Sequence, residues 1–141
     1  MSSNFRATLS GYASYKDREG MIIFLLHRIT GLGTLLFLVM HITTTASVYF
    51  APAWYDRMIM IFRWPWVMFL EIILVFCVVY HGVNGLRIAY FDLFKSKFYQ
   101  SKPWKTSVRS TILIAILLWL PLAAIMGYNL LKYGFGLFGG I

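Results

Sequence analysis

Three long apolar stretches, at residues 21–48, 65–91 and 108–131, constrain this chain more than anything else in it. Each is long enough to cross a bilayer, which takes roughly 20 residues of helix. A chain of 141 residues, 60% hydrophobic and 13% charged, cannot hide such runs inside a soluble core. It also lacks the alternating segments of about 10 residues that a membrane β-barrel requires. The expected fold class is an all-α membrane protein with three transmembrane helices, forming part of a heteromeric helix bundle. The expected domains are an N-terminal surface tail over residues 1–20, a transmembrane domain over 21–131 and a Gly-rich tail over 132–141.

The placement of charge gives the orientation. The net charge is +8, and basic residues gather at two places. Arg6, Lys16 and Arg18 precede the first run; Lys95, Lys97, Lys102, Lys105 and Arg109 join the second run to the third. The connection over residues 50–64 has only Arg57 and Arg63, and only Lys132 follows the third run. Positive charge marks the cytoplasmic side, so the N-terminus is expected inside and the C-terminus outside. The basic inner face suits anionic lipid. Because the charge sits at helix ends, nucleic acid is not expected as a partner.

Several residues read as framework. Residues 1–20 are not a cleavable signal peptide, since the apolar run begins too late and runs too long. Trp54, Tyr55, Trp64 and Trp66 form an aromatic belt at the outer interface, and Tyr99 and Trp104 one at the inner interface. Pro65 suits the first turn of a helix, and Pro121 predicts a kink in the third. Cys77 is the sole cysteine, so no intrachain disulfide is possible, and it reads as a small buried hydrophobe. Glu71, toward the outer end of the second run, is expected to face the bundle or snorkel.

The chemistry is confined to a few polar side chains. His27, His41 and His81 are the only histidines, and all lie within the first two runs, with Arg28 and Arg87 beside them. A central Arg or Lys costs about 2.5–3.5 kcal/mol on insertion scales, so such groups are functional candidates. His27 and His41 are 14 residues apart, close to four turns, and so share a face about 21 Å apart along the axis. Gly31 shares that face, and His81, Asn84 and Gly85 share one on the second helix. A buried imidazole can be satisfied by a hydrogen bond to a neighbouring helix. Alternatively it can ligate haem, which needs an axial imidazole, a small-residue face for the macrocycle and cations near the propionates. Zinc fits less well, because no Cys or carboxylate lies at ligand spacing. Helical rise puts His41 and His81 on the order of 15 Å apart in depth, too far to share one iron. His27 is expected too near the inner surface to pair with His81. A haem on His81 then takes its second ligand from another chain.

The sequences LLHRITG and YHGVNGLRIAYFD, with the YKDREG lead-in, resemble the cytochrome b membrane anchors of succinate dehydrogenase and, similarly, those of fumarate reductase. The resemblance covers about residues 15–93 and rests on HR-x-[ST]-G paired with H-x-x-x-G-x-R-x-x-x-x-D. It implies that His81 is the axial ligand of haem b, with His27, Arg28 and Arg87 on the propionate side. It implies that Arg28 and Asp92 belong to a quinone site. His41 matches a histidine that ligates a second, outer haem in two-haem members, although some single-haem members keep a histidine there too. Phe24 stands where some members carry a quinone-contacting serine, and Ile88 where some carry a histidine.

The implied function is that of a haem b-binding anchor of succinate:quinone oxidoreductase, passing electrons from an iron–sulfur subunit to quinone. Succinate chemistry would belong to a flavoprotein subunit. The implied partners are a second membrane anchor, the iron–sulfur subunit, the flavoprotein, quinone and lipid. The implied location is the cytoplasmic membrane of a cell rather than the mitochondrial inner membrane. Two other classes compete. A non-redox anchor would tether a respiratory complex through its basic face. A transporter would use the histidines as a proton relay, but the third run is uncharged and no inverted repeat is evident.

Overall fold

A computed structural model describes residues 18–94 and 102–137, with side chains from residue 21 in the first segment and 107 in the second. The described residues are helical, without strands. Helix α1 spans Arg18–Phe50, α2 Pro52–Phe62, α3 Pro65–Phe94 and α4 Lys102–Asn129, followed by a π-helical turn at Leu130–Gly134. Three segments are long and apolar enough to cross a membrane: Met21–Phe50, Pro65–Phe94 and Ser107–Gly134. At 1.5 Å per residue each outruns a hydrocarbon layer of about 30 Å, so the ends reach the headgroup region or the helices tilt. The tail over residues 1–17 and the inner-interface residue Tyr99 lie outside the described residues, as does the side chain of Trp104.

Two prolines explain the main departure from the sequence-based expectation. The connection over residues 50–64 is not a loop but contains the 11-residue helix α2. Pro52 disfavours helical geometry at the preceding residue, and Ala51 accordingly adopts φ −154° and ψ 70°. Proline itself is tolerated in a first turn, so α2 starts at once. Pro65 repeats the device at the start of α3. Helix α4 continues through Pro121. Leu130–Gly134, which leads into the Gly-rich tail, forms the π turn. Beyond it, Gly136 takes a positive φ of 65°, a geometry glycine adopts without steric penalty.

Helix α3 lies between α1 and α4, which touch each other little. It approaches α1 through glycines: a Cβ added at Gly31 would stand 3.0 Å from Cε1 of His81, and one at Gly33 2.8 Å from Sγ of Cys77. Both gaps are too tight for an unadjusted side chain, so these glycines set the separation of the helices. Against α4, the indole of Trp119 donates to the carbonyl of Ile72 (3.1 Å) and meets Phe76 edge-on at 5.5 Å. The core between the helices is narrow and partly polar. It buries Ile23 and Thr30 of α1, Tyr80, Asn84, Arg87 and Phe91 of α3, and Val108, Thr111 and Ala115 of α4. Most large apolar side chains face outward, as lipid or partner helices require.

Candidate functional site

The α1–α3 crossing brings two of the three histidines together. The rings of His27 and His81 stack with centroids 4.1 Å apart and planes 5° from parallel. The two rings therefore lie at one depth, which removes the ground for the expectation that His27 sits too near the inner surface to pair with His81. It judged depth from each helix separately, whereas the glycine crossing sets their register. Gly31, one turn beyond His27, forms a flat floor beneath the edge of the His81 ring.

His81 Nδ1 lies 3.2 Å from the backbone oxygen of His27. A carbonyl can only accept, so this contact needs the proton on Nδ1 and leaves the lone pair on Nε2. Imidazoles that bind metals are commonly oriented in this way. Thr30, the buried Ser/Thr of the HR-x-[ST]-G element, adds to the arrangement. Its hydroxyl donates to the oxygen of Leu26 at 2.8 Å and also lies 3.2 Å from that of His27. The sequence motif contained Thr30 without revealing this role, because only the fold shows that His27's carbonyl serves a second helix. His27 Nδ1 is buried without a hydrogen-bond partner among the described residues.

The two arginines occupy contrasting environments. Arg28 is exposed, with its guanidinium carbon 4.5 Å above the ring of Phe24. Phe24 thus offers Arg28 a cation–π support in place of a hydroxyl. Arg87 is buried and donates from NH1 to Oδ1 of Asn84 at 2.8 Å. Asn84 and Tyr80 are fully enclosed, and Asn84 Nδ2 and the Tyr80 hydroxyl have no partner among the described residues. Gly82 and Gly85 lie elsewhere on α3, and an added Cβ at either would meet nothing within 4 Å. The expected common face therefore divides: Asn84 points into the bundle, while Gly82 and Gly85 border open surface beside His81. Asp92 is exposed near the end of α3.

His41 stands apart. The His81 ring lies over Gly31, ten residues before His41, which places the two histidines about 15 Å apart along α1. His41 stacks on Phe37 at 5.6 Å and lines a cavity of about 340 Å³ with Glu71, Thr44 and Tyr55. Glu71 thus faces the bundle, the first of the two positions expected for it. The sequence did not reveal that Glu71 and His41 share one cavity, because they come from different helices. No group of three or more His, Cys, Asp or Glu side chains occurs among the described residues.

Three long apolar helices, two of which cross at a stacked pair of half-buried imidazoles, define a polytopic membrane subunit. Residues 4–122 match the succinate dehydrogenase/fumarate reductase transmembrane subunit family, and the chain belongs to that family. It is 26% identical over 121 residues to the succinate dehydrogenase 2 membrane subunit SdhC of Mycobacterium tuberculosis (strain ATCC 25618 / H37Rv). That similarity covers 84% of this chain and 85% of the relative.

Proposed function

We propose that this chain binds haem b through His81 and forms part of the quinone site of a succinate:quinone oxidoreductase. The observation that carries the reading is the contact between His81 Nδ1 and the His27 carbonyl, which leaves Nε2 available as a ligand inside a membrane span. Three further features fit the group. Gly82 and Gly85 offer an unobstructed small-residue surface beside His81. The buried Nδ1 of His27 retains hydrogen-bonding capacity suited to a propionate oxygen. A single imidazole also suits a metal whose macrocycle supplies the equatorial ligands.

Bound haem supplies one-electron redox chemistry within the membrane. The protein's part is to hold and orient. The His27 carbonyl fixes the tautomer of His81, and the stacked His27 ring limits its rotation. Arg28 and Arg87 supply positive charge on the propionate side. Arg28, supported by Phe24, hydrogen-bonds a quinone oxygen and stabilises its reduced, anionic form. Asp92, near the inner end of α3, passes protons from the aqueous side. A second anchor subunit would supply a further ligand to the haem, and an iron–sulfur subunit with its flavoprotein would dock on the basic inner face. His41 is the candidate ligand of a second, outer haem.

The test is a reduced-minus-oxidised spectrum and a pyridine haemochrome assay on the intact complex, giving haem per flavin. The expected result is a Soret band with α and β peaks in the native complex, lost in His81→Ala. One observation favours a second reading: the His27–His81 stack already occupies both rings with protein atoms, as a non-redox anchor would need. A complex that lacks haem, or keeps its spectrum unchanged in His81→Ala, establishes that alternative.

A further inference from the structure

We infer that Thr30 is a positioning residue that sets the donor strength of His81 by sharing the carbonyl that His81 depends on. The inference rests on the haem-ligand reading of His81 and goes beyond it. Besides the backbone N–H that an in-helix carbonyl receives, two side chains have protons to offer the oxygen of His27: Nδ1 of His81 at 3.2 Å, across the helix crossing, and the Thr30 hydroxyl at 3.2 Å, within α1. The hydroxyl proton is divided between this oxygen and that of Leu26, at 2.8 Å. Thr30 is 2% exposed, so water does not take its place.

The direction of the effect follows from the chemistry of a shared acceptor. Each donor withdraws electron density from the carbonyl oxygen and weakens it toward the other. A weaker acceptor pulls less on the Nδ1 proton of His81, and Nε2 is then a poorer electron donor. Removing the Thr30 hydroxyl leaves His81 as the one side chain that draws on the carbonyl. Nε2 becomes more basic, which favours the oxidised metal and lowers its reduction potential. Thr30 need not touch the metal, the macrocycle or the quinone to do this.

Two substitutions separate this role from packing. Thr30→Val keeps the shape and deletes the hydroxyl; Thr30→Ser keeps the hydroxyl and deletes the methyl. Redox titration of the haem α band in the intact complex is expected to show a lower midpoint potential in Thr30→Val, with haem content unchanged. The native value is expected to return in Thr30→Ser. A native potential in haem-loaded Thr30→Val overturns the inference and leaves the ligand assignment standing. So does a Thr30→Ser protein that is more disturbed than Thr30→Val, since packing alone predicts that order. A native complex without haem overturns both.

Discussion

Arg28 and Arg87 show how little residue type says about role. Both are arginines in apolar helices, yet one lies exposed on Phe24 and the other is buried against Asn84. Loss of a buried partner leaves a polar group unsatisfied, which costs about 1–3 kcal/mol. Arg87→Leu removes the donor to Asn84 Oδ1 and is expected to lower the thermal stability and yield of the purified complex. Arg28→Leu removes no buried contact. It is expected to leave assembly intact while reducing quinone reductase activity more than succinate oxidation with a water-soluble acceptor. Parallel assays of both activities, with a melting curve for each variant, check this contrast. Equal stability losses in the two variants contradict it. The sequence marked both residues as costly and therefore purposeful, but their environments depend on how α1 and α3 each turn about their own axes.

At the scale of elements, the α1–α3 crossing decides the site. Gly33 lies against Cys77 one turn from where Gly31 lies against His81, so two small residues hold the helices in a single register. Overpacking a fitted contact typically costs 1–3 kcal/mol. Gly33→Ala places a methyl group into Sγ of Cys77 and is expected to lower the melting temperature of the complex and weaken haem retention. Cys77→Ala alone removes one half-buried sulfur and is expected to cost less than Gly33→Ala. The double variant Gly33→Ala/Cys77→Ala is expected to recover part of the loss, a coupling that a double-mutant cycle measures. Strictly additive losses contradict close packing at this point. The helices themselves were legible, because apolar length and proline position are local properties. Helix α2 was not, because its 11 residues sit between spans as an interfacial stretch rich in aromatic residues, which serves equally well as loop or helix. The meeting of His27 and His81 was hidden for a different reason. Helical rise locates a residue along its own helix, but not against a neighbour.

The whole molecule reads as an inside-out bundle: a narrow, polar-tinged interior and a broad apolar exterior. Leu86, Leu93 and Trp66 are each at least 75% exposed, which is tolerable only where lipid or another subunit covers them. The basic clusters set the orientation test. In a Cys77→Ala background, Lys97→Cys is expected to react with a membrane-impermeant maleimide only when the inner face is accessible. Arg57→Cys is expected to react from outside intact cells. The opposite labelling pattern reverses the assigned orientation, and with it the side on which Arg28 and Asp92 would meet the soluble subunits.

The sequence by itself determined the membrane class, the number of spans and the small set of polar groups worth explaining. These follow from composition and length, since a bilayer accepts little else. Its motifs also singled out His81, the HR-x-[ST]-G turn and the arginines. The tertiary structure alone decided which groups of different helices meet: His27 with His81, the His27 carbonyl with Nδ1 of His81, and Glu71 with His41. The physical reason is that lateral register depends on where glycines let backbones approach, and that approach exists only once both helices are in place.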